Sequence, residues 1–133
     1  MEKNNMNKIS YFQNRIESTF SPMDYMMEKK KQPEGYVLID VRNGNQSLKK
    51  EKIQGALEIP LSELQNRLNE IPRDKEVILY CWDVWCNTAS KAAILLINEG
   101  YKVKELNGGI AAWKTMNFPL VSLINDEQTE CGC

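Results

Sequence analysis

The spacing of apolar positions changes several times along the chain, and each change predicts an element. Ile9, Phe12, Ile16 and Phe20 recur at helical spacing, which predicts an amphipathic N-terminal helix packed on the rest of the domain. Ser21-Pro22-Met23-Asp24 then supplies an N-cap, a proline at the first helical position and an acidic first turn. They open a second helix, which Pro33 and Gly35 close. Val37-Leu38-Ile39-Asp40-Val41 is an apolar run broken by one carboxylate, the pattern of a strand buried on both faces. Gly55 to Pro60 predicts a short strand stopped by proline. Ser62-Glu63-Leu64-Gln65 reads as a capping box opening a helix with Leu61, Leu64, Leu68 and Ile71 on its core face. Glu76 to Tyr80 is a second buried strand, Ala89 to Glu99 a helix ended by Gly100, and Val103 to Leu106 a further strand. Gly108-Gly109 marks a turn, Ile110 to Met116 a short helix before Pro119, and the residues after Leu123 are polar and loose.

Strands alternating with helices define an α/β fold. The expectation is a three-layer domain with a mostly parallel sheet of about five strands and helices on both faces. Its parts are an N-terminal helical extension over 1–19, the domain proper over 20–123 and a polar Cys-x-Cys tail over 124–133. Ligands of such sheets bind beyond the carboxyl ends of the strands, and Cys81 falls there, directly after the Glu76 to Tyr80 strand.

Composition narrows the function classes. Apolar residues make up 42% and charged residues 26% of the 133, as in an ordinary globular protein. The 17 basic and 18 acidic residues nearly cancel, which argues against nucleic acid or an anionic membrane as a partner. The Lys29-Lys30-Lys31 and Lys49-Lys50 clusters read as solvated surface. The first residues have no apolar signal region, and no apolar run is long enough to span a bilayer, so a cytoplasmic address is expected. Thiols stay mostly reduced there, and the four cysteines therefore read as reactive or metal-binding groups before structural disulfides. Histidine is absent, which removes Cys-His nucleophilic catalysis within the chain.

Four landmarks then appear in order: Leu38-Ile39-Asp40-Val41-Arg42; Ile53 to Pro60; Tyr80-Cys81 with a loop and Ala89-Ser90-Lys91-Ala92-Ala93; and Leu106-Asn107-Gly108-Gly109-Ile110 with Trp113 and Pro119. Together the pattern, from about Phe20 to Pro119, resembles the rhodanese homology domain. The resemblance implies a single-domain sulfurtransferase whose cysteine thiolate takes a sulfane sulfur, holds it as a persulfide and passes it to a nucleophilic acceptor. By landmark the catalytic cysteine is Cys81. Asp40 and Arg42 resemble the family's structural and site-rim pair, with Asp40 equally readable as a buried, hydrogen-bonded carboxylate. A thiolate at neutral pH would be held by inward-pointing loop N–H groups and the following helix dipole.

The loop departs from the family pattern. Cys81-Trp82-Asp83-Val84-Trp85-Cys86-Asn87-Thr88 has no basic side chain, and Asp83 adds a negative one, so thiosulfate is a poor donor on this reading. The long loop also resembles that of the cell-cycle phosphatases sharing this fold, but those need an arginine to hold phosphate. Trp82 and Trp85 read as a hydrophobic lid or as a contact surface for a partner's thiol-bearing segment. Lys52, where the family commonly has histidine, reads as a surface substitution.

Cys86 is an apolar filler, an alternative nucleophile, or a thiol resolving Cys81 as an intraloop disulfide. Cys131 and Cys133 could accept sulfur or hold a soft metal, but the four cysteines lack the usual zinc spacing. No metal and no cofactor are expected. The expected substrate-binding set is therefore Arg42 and the loop from Trp82 to Thr88. The partners are a persulfide donor, either a protein or a small molecule, and a thiol acceptor. A non-catalytic binding module using the tryptophan loop and a thiol redox switch remain the alternatives.

Overall fold

The structure is a computed structural model describing residues 2–45 and 47–124. Helix α1 (Glu2–Ser18) leads into β1 (Thr19–Phe20) and α2 (Pro22–Lys31), whose N-terminus Ser21 caps by accepting from the Asp24 N–H. Strand β2 (Tyr36–Asp40) follows, then β3 (Glu51–Ile53), β4 (Leu57–Glu58), α3 (Leu61–Leu64) with a 3₁₀ segment Gln65–Glu70, and β5 (Glu76–Tyr80). Helix α4 (Thr88–Asn98), β6 (Val103–Leu106), α5 (Gly109–Thr115) and β7 (Leu120–Ser122) complete the order.

The main sheet runs β1-β6-β5-β2-β4, with every pairing parallel. Because side chains alternate across a strand, β2 and β5 feed two cores. Ile39, Val41, Val77 and Leu79 pack with Leu64, Ile71, Ala92 and Leu96 on one face. Leu38, Ile78 and Tyr80 pack with Tyr25, Ile110 and Trp113 on the other. Ile39, Val77, Ile78 and Leu79 are fully buried, each contributing about 1.5–3 kcal/mol by leaving water. The expected three-layer, five-stranded α/β architecture is the one observed.

Several local expectations differ from the structure. The apolar stripe of α1 is not covered: Ile9, Phe12 and Ile16 are 56%, 54% and 73% exposed. The helix stops at Ser18 because Phe20 leaves it to pair as β1 with β6, where Phe20 matches Leu106 and its carbonyl accepts from the Asn107 N–H. Phe20 alone of the stripe reaches the core. The capping box does not form either. Helix α3 begins two residues earlier, with Pro60 at its N-cap and no side-chain cap bond, and the Ser62 N–H donates to Asn43 Oδ1 instead. The segment tightens to 3₁₀ and kinks at Arg67, yet its core face stays as expected, with Leu64 and Ile71 buried and Leu61 and Leu68 packed beside them.

Lys49 is buried, at 3% exposure, where a solvated cluster was expected. Strands β1, β3 and β7 were not anticipated. The antiparallel β3–β7 pair matches Glu51 with Ser122 and Ile53 with Leu120, joining segments far apart in sequence. Cys131 and Cys133 lie outside the described residues. No helix among the described residues is long and apolar enough to cross a membrane.

Candidate active site

Strand β5 lies at the centre of the sheet, and its carboxyl end delivers Cys81, 4% exposed, to the mouth between the two helical layers. The backbone there is held from below by α5. The Ile110 N–H donates to the Cys81 carbonyl and the Ala111 N–H to the Trp82 carbonyl, both at 3.0 Å. This approach requires Gly108 and Gly109. Both have positive φ (76° and 60°), and a Cβ on Gly109 would run into the backbone of Cys81 and Trp82. The double glycine is thus the reason α5 can dock directly under the loop.

Beside the loop, Asp40 and Arg42 form a buried pair, each 1% exposed. Arg42 Nε donates to both carboxylate oxygens at 3.0 Å and Nη2 to Oδ2 at 2.7 Å, while the Arg42 N–H closes onto Oδ1 at 3.0 Å. Nη2 also donates to the Glu51 carbonyl at 2.8 Å, tying β3 to this corner. Tyr80 donates its hydroxyl to Asp40 Oδ2 at 3.0 Å and accepts from the Ile53 N–H at 3.1 Å. Burial, reinforced by the Asp40 charge, pushes the Tyr80 phenol far above its ordinary value, so it stays a hydroxyl donor. The Arg42 guanidinium carbon lies 4.4 Å from the centroid of the Trp82 ring. Arg42 therefore braces the first loop residue after Cys81.

The two tryptophans divide the roles considered for them. Trp82 is half-buried and packs against both cores, a lid. Trp85 is 69% exposed and Val84 81%, so the tip presents apolar surface outward. The Asp83 carboxylate accepts the Val84 N–H at 2.6 Å, and its carbonyl accepts the Cys86 N–H at 3.1 Å. Cys86 is half-buried, with Sγ 3.2 Å from Thr88 Oγ1, and Asn87 occupies the N-cap of α4 without a side-chain cap bond. The first N–H groups of such a helix lack intrahelical acceptors and face the loop as an anion-stabilising end. Cys81 and Cys86 are joined as a disulfide across five residues, with Cα atoms 6.4 Å apart.

A shallow cavity of about 310 Å³ adjoins the loop, walled by Trp82 and Trp85 together with Arg42, Lys50, Ile110 and Lys114. Neither cysteine forms part of its wall. Arg42 was expected here, whereas reading the loop alone missed Lys50 and Lys114, which come from the segment before β3 and from α5. Their charge is largely spent: Arg42 is neutralised by Asp40 and Lys114 by Glu51 at 2.6 Å. Asp83 lines the same cavity as Lys50, so little net positive charge remains for a small anion. Lys52 donates to the Ala56 carbonyl at 2.8 Å, fastening the turn between β3 and β4. Among the described residues no group of three or more His, Cys, Asp or Glu side chains is arranged to hold a metal.

This architecture, a parallel sheet with a cysteine at the end of its central strand, defines a protein class that comparison identifies. The family model for the Rhodanese-like domain matches residues 23–116, and the chain belongs to that family. It is 32% identical over 90 residues to a sulfurtransferase of Allochromatium vinosum, covering 67% of this chain and 81% of that one. It is also 32% identical over 83 residues to the HTH-type transcriptional regulator Rv0324 of Mycobacterium tuberculosis. That match covers 62% of this chain but only 36% of the regulator, so the chain spans about a third of that relative. The crystal structure of a rhodanese-related protein from Thermoplasma volcanium superimposes with a TM-score of 0.65 at 26% identity, covering 78% of this chain and 97% of that one.

Proposed function

We propose that this protein is a cytoplasmic sulfurtransferase that moves sulfane sulfur through a persulfide on Cys81. The observation that carries this reading is the position of Cys81 at the carboxyl end of the central strand, opening the loop before α4 in a rhodanese-like domain. The Cys81 thiolate attacks the outer sulfur of a donor persulfide, the donor thiolate leaves, and the new persulfide anion rests against the N-terminus of α4. An acceptor thiolate then removes the outer sulfur. The near-cancellation of charge around the neighbouring cavity favours a persulfide over thiosulfate as donor. The outward Val84 and Trp85 suit a donor presented by a protein, an apolar contact next to the thiol.

The test is sulfur transfer to the reduced protein. Wild type should consume a low-molecular-weight persulfide and release its thiol, and Cys81→Ser should neither consume the donor nor gain sulfur by intact-mass spectrometry. Donor consumption unchanged in Cys81→Ser would overturn the assignment.

A further inference from the structure

The loop holds two thiols where the transfer chemistry needs one, and the second lies within bonding reach of the first. Cys81 is buried, and its backbone is fixed by the Ile110 and Ala111 N–H groups. Transfer to an acceptor removes the outer sulfur of a Cys81 persulfide. The inner sulfur, Cys81 Sγ, is the atom to which Cys86 is bonded. Their Cα separation of 6.4 Å is one a disulfide can span, roughly 4.4–6.8 Å. Cys86 is also the more accessible of the two, on the turn closed by its N–H to Asp83 and beside Thr88 at the start of α4, an end that favours an anion.

Resting on the Cys81 reading above, we infer that Cys86 discharges the Cys81 persulfide as hydrosulfide, making the protein a sulfide-releasing persulfide reductase with an internal resolving thiol. The Cys86 thiolate attacks Cys81 Sγ. The bond from Sγ to the terminal sulfur breaks, and its electron pair leaves with that sulfur, which takes up a proton from water as it departs as HS⁻. The Cys81–Cys86 bond forms. Each cysteine sulfur gives up one electron and the sulfane sulfur gains two, so no outside oxidant is needed. Hydrosulfide is a weaker base than an alkyl thiolate and so the better leaving group. The disulfide in the structure is the product of this step. A second turnover requires a dithiol reductant, which opens the disulfide by exchange and is itself oxidised. The external thiol partner then supplies electrons and need not accept sulfur.

The experiment uses the full chain, reduced, freed of reductant and treated anaerobically with one equivalent of cysteine hydropersulfide. Wild type should release one sulfide per chain and appear by mass as the intraloop disulfide without added sulfur. Cys86→Ser should retain one added sulfur on Cys81 and release sulfide only after a thiol is supplied. A wild-type protein that keeps a lasting sulfur adduct, or a Cys86→Ser variant that releases sulfide as wild type does, overturns the inference and leaves the transferase reading standing. If Cys86→Ser, folded by circular dichroism, takes up no sulfur, both readings fall together.

Discussion

Asp40 shows how one residue can read two ways in sequence and have both readings meet in space. As a carboxylate inside an apolar strand it needed hydrogen bonds, and it has them from Arg42 and Tyr80. As part of the landmark ending in Arg42 it was expected at the site rim, and Arg42 does reach the Trp82 ring. Removing one partner of a buried pair leaves the other charged and unsolvated. Asp40→Ala should therefore lower unfolding free energy by about 3–5 kcal/mol, measured by urea denaturation. A loss near zero would mean that the Arg42 charge finds water or another partner. Cys81 was legible from its place after an apolar strand. The bond to Cys86 was only one of three readings, because a spacing of five residues does not say how the loop between them turns.

At the scale of elements, buried strands and α4 were readable because their patterns are local. Helix α1 was readable as a helix but not in its packing. Helical spacing of Ile9, Phe12 and Ile16 predicts a stripe, whereas coverage of that stripe depends on where the chain goes next, and β1 fixes that by pairing with β6. Ile9→Glu should then change unfolding free energy by no more than about 0.5 kcal/mol, as at other surface positions. Leu79→Ala, at a fully buried site in β5, should cost about 2–5 kcal/mol in the same urea titration. A large effect of Ile9→Glu would show that the stripe is covered in solution. The two- and three-residue strands β1, β3 and β7 escaped the sequence because such short segments carry no measurable period.

Over the whole molecule, the two cores bury tyrosines whose ionisation is opposed by the fold. Burial, with the nearby Tyr36, raises Tyr25 from 10.0 to about 12, and burial raises Tyr80 further. Folding thus favours the neutral phenols. Their contribution to stability is fully present below the unfolded-state value near 10.0 and declines as pH rises from there through the folded-state values. A titration of phenolate absorbance alongside circular dichroism should show Tyr25 and Tyr80 resisting ionisation at pH 10–11 and ionising together with loss of structure at higher pH. Two buried tyrosines titrating normally in a still-folded protein would contradict the packing described. By itself the sequence determined the class of fold, the order of its main elements and the place of the loop that opens at Cys81. Each of these follows from hydrophobic period, turn residues and motif order, which are properties of neighbouring positions. Tertiary structure alone decided that Cys81 and Cys86 meet and that Gly108-Gly109 brings α5 beneath them. It also decided that Lys50 and Lys114 flank the loop with most of their field cancelled. Those outcomes depend on groups far apart in the chain converging on one sheet end, and the distance between them in space is fixed only when the sheet and its two helical layers pack.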